Sequence, residues 1–177
     1  MSPSTGGVAL FGMQIAKANG ARVMVCGRPD CETRSKALGA DHFIGAGSDW
    51  MEAVYTLASE RGADVVLEVI GGKHLGQSEQ VTAVGGHVCR IGALDGWDIQ
   101  APAMPLTMKD ITIHGIGTGS RSAPERFVRA IDQTGIKPVV DSRYPLADLP
   151  DGIQPCPGSR RRRGFPDAWA ADHQRAG

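Results

Sequence analysis

Asp64-Val65-Val66-Leu67-Glu68-Val69-Ile70 places five aliphatic side chains in seven residues, with one acid inside the run. A strand with one wet face alternates polar and apolar residues. A nearly continuous aliphatic run is instead what a parallel strand shows when helices cover both faces of its sheet, so this strand is expected in the interior. Upstream, Asp49 with Glu52 forms a carboxylate variant of the capping box for a helix that reaches Arg61 and stops at Gly62. Downstream, residues 73–84 read as a weaker helix and residues 87–91 as another strand.

The same rhythm extends in both directions. Val8, Phe11, Ile15 and Ala18 recur at helical spacing until Gly20, residues 21–26 read as a strand, Asp30 is placed to cap a short helix ending before Gly39, and residues 42–45 read as a brief strand. After a connection through Pro102 and Pro105, residues 111–116 form a further strand. Ser122 and Glu125 supply a capping box for a last helix, with Pro124 in its first turn, Phe127, Val128 and Ile131 on one face, and Gly135 as its stop. Strands alternating with helices predict an α/β fold, a doubly wound parallel sheet.

The chain has 177 residues, enough for one domain with a real core. Nineteen basic and nineteen acidic residues balance, and 41% of residues are hydrophobic, which excludes a disordered polyelectrolyte. No apolar run approaches a bilayer span, so no membrane partner is expected. Met1-Ser2-Pro3-Ser4 lacks the basic and apolar regions of a secretory signal, and a cytoplasmic location is expected. Cys26, Cys31, Cys89 and Cys156 show no C-x-x-C spacing and read as buried or idle thiols. Residues 151–177 hold four Gly, three Pro, five Arg and four Ala, 16 of 27, and no helical or strand period survives there. A disordered tail is expected. Its run Arg160 to Arg163 has no aromatic interleaving and reads as a solvated charge cluster, not a nucleic-acid site.

The strongest chemical signal is Ser4-Thr5-Gly6-Gly7-Val8-Ala9 at the start of the first helix. Against G-x-G-x-x-G/A it keeps Gly6 and Ala9 and has Ser4 for the first glycine. Glycine lets the backbone approach a pyrophosphate while the helix N-terminus offers free N–H groups and a positive dipole end. The alternative is a glycine pair that merely packs, because the fingerprint also calls for a strand in front. At the end of the next strand stand Gly27 and Arg28, where an NAD site would carry an acid for the ribose hydroxyls. A small residue followed by Arg suits a 2′-phosphate and favours NADP(H) over NAD(H); the competing reading is an exposed arginine in a turn before Pro29. The same residues offer no ribose acid for S-adenosylmethionine, which disfavours a methyltransferase.

With these strings in view, residues 5–149 resemble the cofactor domain of the medium-chain dehydrogenase/reductase family, the zinc-type alcohol dehydrogenases and quinone reductases. The matching stretches are TGGVALFGMQIAKANGARV, KALGADHFI, RGADVVLEVIGG, VGGHVCRIGALDG and ITIHGIGTGSR, in the family's order. The resemblance implies a Rossmann-type sheet and hydride transfer between a nicotinamide dinucleotide and an alcohol, aldehyde or quinone. By position it implies that Thr5, Gly6, Gly7 and Val8 meet the pyrophosphate and that Gly27 and Arg28 flank the adenosine ribose. Val69, Ile70, Ile91, Gly92, Ala93, Gly115, Ile116 and Gly117 would form the nicotinamide side, at the carboxyl ends of strands. It also implies a homodimer paired through the edge strand between Ile111 and Ile116.

Three departures qualify the likeness. The family's zinc ligands and catalytic groups belong to a domain ahead of this region, so no catalytic or metal residue is assigned; His42, His74, His87 and His114 read as ordinary surface or strand histidines. The first strand of the order 3-2-1-4-5-6 is missing, which leaves the second and fourth strands with unpaired edges. After Pro145-Leu146 the pattern is abandoned, as a GC-rich reading frame does when shifted. The expected organisation is a start unlike the family at 1–4, an incomplete dinucleotide-binding domain at 5–135, a stub of the return segment at 136–150 and the tail at 151–177. The expectation is a truncated or frameshifted derivative of a dehydrogenase, inactive by itself, with a non-catalytic NADP(H)-binding or dimerisation module as the alternative. Losing a central strand removes on the order of 5–15 kcal/mol of burial, comparable to a domain's whole stability, so the isolated chain is expected to be marginal.

Overall fold

The computed structural model describes residues 6–47, 49–140, 143, 145 and 146. Thr5, the start at 1–4 and the tail expected from residue 151 lie outside the described residues. The chain divides into two units, Met1–Pro138 and Val139–Gly177, and every element below belongs to the first.

Helix α1 (Gly7–Ala18) begins on Gly6 as its extended N-cap, buries Leu10 and Met13, and gives way at Gly20 in the left-handed region. Strand β1 (Met24–Gly27) follows, three residues later than the sequence reading began it. A 3-10 turn (Pro29–Cys31) leads into α2 (Glu32–Ala37), and β2 (His42–Gly45) matches its expected bounds. Asp30 caps neither of these helical pieces; its carboxylate is taken by Arg28. Asp49 does cap α3 (Trp50–Leu57), its Oδ1 accepting the Glu52 N–H at 3.4 Å.

Strand β3 (Ala63–Glu68) is the central run of the sequence reading. A two-residue strand β4 (Gly71–Gly72) and α4 (His74–Val81) come next, and β5 (Thr82–Arg90) starts directly out of α4. The helix expected over 73–84 thus ends three residues early, because Thr82 and Val84 favour extended backbone. The connection through Pro102 and Pro105 is richer than expected: it contains β6 (Gly96–Ile99) and α5 (Ala103–Met108). Pro105 sits in the first turn of α5, where no intrahelical N–H is needed. Strand β7 (Thr112–Gly115) and α6 (Ser122–Thr134) close the order. The expected capping box at Ser122 does not form: Arg121 is the N-cap without a side-chain bond, and the Ser122 hydroxyl pairs with Ser120 and Arg126. Gly135 ends α6 at φ 69° as expected.

All strand pairs are parallel. They fall into β1-β2, β3-β5-β7 and the small pair β4-β6. Among the described residues no strand lies between β1 and β3, so each has one ladder partner, in line with the expected unpaired edges. The expectation that 64–70 is interior is therefore corrected: β3 is an edge of its sheet, and Val65 is 56% exposed. Side chains join what the ladder does not. Ile44, Trp50, Val54 and Val81 form one buried cluster, against which Met24 and Cys26 of β1 and Ala63 and Val66 of β3 pack. A second cluster, Leu75, Val88 and Ile111, has Val66, Leu106 and Ile113 packed against it.

Candidate functional site

Three strands end together. Glu68 of β3 pairs in register with Arg90 of β5, which pairs with Gly115 of β7. The segments that follow, Val69-Ile70, Ile91-Gly92-Ala93 and Ile116-Gly117, consequently leave the sheet at one carboxyl end, where open α/β sheets bind ligands. Backbone bonds tie these segments to one another: the Ile91 and Gly92 N–H groups donate to the Glu68 carbonyl at 2.7 and 3.2 Å, Asp95 N–H donates to the Ile70 carbonyl at 2.6 Å, and Ile116 N–H donates to the Arg90 carbonyl at 2.9 Å. The contact is too close for any side chain at Gly92, where a Cβ would stand 2.4 Å from the Val69 carbonyl oxygen. Val69 is buried, while Gly115, Ile116 and Gly117 are exposed.

Glu68 anchors this edge, and it was not singled out from sequence. Its side chain is wholly buried. Oε1 accepts the N–H groups of Ile70 at 2.6 Å and Gly71 at 3.0 Å; Oε2 accepts from the Ser78 hydroxyl and from His74 Nδ1 at 2.7 Å. Burial by itself would raise this carboxyl, but the hydrogen bonds from His74, Ser78 and the Gly71 N–H outweigh it and hold the pKa at about 2. The carboxylate is thus ionised and can only accept, so His74 Nδ1 carries the proton. His74 itself is stacked on Trp50, ring centroids 5.3 Å apart at 14°. The reading of His74 as a surface or strand residue is corrected: it begins α4 and belongs to this buried cluster, whereas His87 and His114 do lie on strands. The available signal was the lone acid in an aliphatic run.

The α1 start is open. The first intrahelical bond runs from the Leu10 N–H to the Gly6 carbonyl at 3.1 Å, which leaves the N–H groups of Gly7, Val8 and Ala9 ahead of the ladder. The first turn has no acidic residue. A Cβ built on Gly7 would meet no protein atom within 4 Å, so the glycine is not required there by internal packing. Space, free donors and the positive dipole end together fit an anionic group such as a pyrophosphate.

At the end of β1, Gly27 is buried and its carbonyl accepts from the Ala46 N–H at 2.6 Å. Arg28 is exposed and already engaged: Nε donates to Asp30 Oδ1 at 3.2 Å and Nη2 to Oδ2 at 2.7 Å. These bonds and the Asp30 charge raise the guanidinium above its ordinary value. Among the described residues no group of three or more His, Cys, Asp or Glu is placed to hold a metal ion, and no helix is long and apolar enough to cross a membrane.

Comparison with known proteins gives a consistent picture. Residues 7–134 match the family described as zinc-binding dehydrogenase. The chain is 32% identical over 157 residues to a zinc-type alcohol dehydrogenase-like protein of Schizosaccharomyces pombe, covering 85% of this chain and 45% of that protein. It is 29% identical over 154 residues to a quinone oxidoreductase of Rattus norvegicus, covering 81% and 45%. A crystal structure described as an alcohol dehydrogenase from Sinorhizobium meliloti superposes with a TM-score of 0.79 at 46% identity, over 84% of this chain and 44% of that one. The chain spans less than half the length of each of these proteins.

Proposed function

Because this chain belongs to the zinc-binding dehydrogenase family, we propose that it is the part of a medium-chain oxidoreductase that holds the nicotinamide dinucleotide. Residues 5–135 form that part, and 136–150 begin the return toward a catalytic domain. Thr5, Gly6, Gly7 and Val8 take the pyrophosphate, and Gly27 and Arg28 flank the adenosine ribose, with Arg28 favouring NADP(H) over NAD(H). Val69, Ile70, Ile91, Gly92, Ala93, Gly115, Ile116 and Gly117 form the nicotinamide wall. When bound, the dinucleotide supplies a hydride for exchange with an alcohol, aldehyde or quinone. The residues of this chain bind and orient it. Turnover also needs a substrate held against the nicotinamide face, and the matched region makes up only 45% of each relative; the 177-residue chain by itself binds without turning over.

The observation that carries this reading is the open start of α1, with free N–H groups and room at Gly7 that the fold does not use. Gly7→Val separates ligand contact from packing. The added Cβ has no protein atom within 4 Å, so stability to thermal unfolding should change by less than about 1 kcal/mol, while NADPH affinity, followed by fluorescence titration, should fall at least about tenfold. Unchanged affinity in the variant, or no binding by the unsubstituted chain at millimolar dinucleotide, would overturn the reading.

A further inference from the structure

Arg28 and Asp30 lie two residues apart just beyond β1 and form a two-point ion pair. Nε and Nη2 lie along one edge of the guanidinium, the kind of edge through which Arg grips a phosphate with two parallel bonds. Both side chains are more than half exposed, at 52% and 63%, so no packing holds the pair in place and a ligand can break it. Arg28 can serve Asp30 or a 2′-phosphate through this edge, not both.

We infer that Asp30 is a specificity-determining residue: by occupying Arg28 it sets the balance between 2′-phosphorylated and unphosphorylated dinucleotides. The inference rests on the dinucleotide reading above. An unphosphorylated ribose leaves the ion pair intact and meets a locally neutral surface. A 2′-phosphate must draw Arg28 away, which breaks the pair and leaves the Asp30 carboxylate beside a group of charge near −2. Both costs fall on the phosphorylated ligand alone. The arginine that would select NADP(H) is thus opposed by its own neighbour, and the chain accepts both dinucleotides with a smaller preference than Arg28 alone would give.

The test is fluorescence titration of the full 177-residue chain with NADPH and with NADH, for the unsubstituted protein, Asp30→Asn, Arg28→Gln and the double variant. An exposed ion pair changes an equilibrium by up to about fivefold, and relief of repulsion adds to it. Asp30→Asn should therefore tighten NADPH by about three- to tenfold and leave NADH within about twofold. In the Arg28→Gln background the same substitution should lose more than half of that effect. The gain should also shrink with added salt. If Asp30→Asn changes both ligands alike, or acts undiminished without Arg28, Asp30 does not work by occupying the guanidinium and the inference fails while the dinucleotide reading stands. If neither ligand binds any variant whose circular dichroism is unchanged, both fail together.

Discussion

Glu68 is buried and ionised at once because donors meet both of its oxygens: two backbone N–H groups on Oε1, His74 and Ser78 on Oε2. This links pH to stability. Its carboxyl titrates at about 2 in the folded chain against 4.5 for the ordinary group, so the unfolded chain binds this proton more tightly than the folded chain does, and loss of the proton favours the folded state. The contribution, about 3 kcal/mol, is complete above pH 4.5 and disappears as pH falls toward 2. Denaturant unfolding at a series of pH values should show this loss in the unsubstituted chain. Glu68→Gln should be less stable at pH 7 by about 2–3 kcal/mol and should lack that acid-dependent segment. The acid was visible in the sequence as the odd member of 65–70, but its partners six and ten residues away were not, because a helix had to form before His74 and Ser78 could face it. Arg28 shows the converse: its place after β1 was legible, its engagement by Asp30 was not.

At the level of elements, periodicity found what burial enforces. The helix starting near Gly7, the strand 42–45, the Asp49 cap and the Gly135 stop all have strong local causes. Misplaced features had competing ones: Pro105 was expected in a connection yet sits in a first helical turn, and the Ser122 hydroxyl found side-chain partners instead of the backbone. Burial of β3 was misjudged because an aliphatic run records what a strand is suited to cover, not what covers it here. The consequence is measurable. Leu75 of α4 is fully buried against Val88 and Ile111, so Leu75→Ala should cost about 2–5 kcal/mol. Val65 is more than half exposed on β3, so Val65→Ala should cost less than about 0.5 kcal/mol. Equal losses in denaturant midpoints, at unchanged slope, would mean that Val65 is covered in solution.

Across the whole first unit, two kinds of cohesion are distributed unevenly. Hydrogen-bonded ladders hold β3, β5 and β7 together and, separately, β1 and β2. Among the described residues, side chains and no ladder span the space between β1 and β3, through the cluster of Ile44, Trp50, Val54 and Val81. Apolar packing is strong in sum but non-directional, and it does not protect backbone amides as a ladder does. The unpaired edges expected from the strand order 3-2-1-4-5-6 are therefore a statement about dynamics as well as topology. Strand β5 has a partner on each side, and β1 has one. Hydrogen exchange followed by mass spectrometry should find the amides of Thr82–Arg90 slowest and those of Met24–Gly27 at least about tenfold faster, a gap of roughly 1.4 kcal/mol in opening free energy. Saturating NADPH should slow the amides at 7–9 and 69–72, since a ligand that binds only the folded state suppresses opening by mass action. Equal protection of β1 and β5 without ligand would show that the two sheets open as one unit and that side-chain packing alone couples them fully.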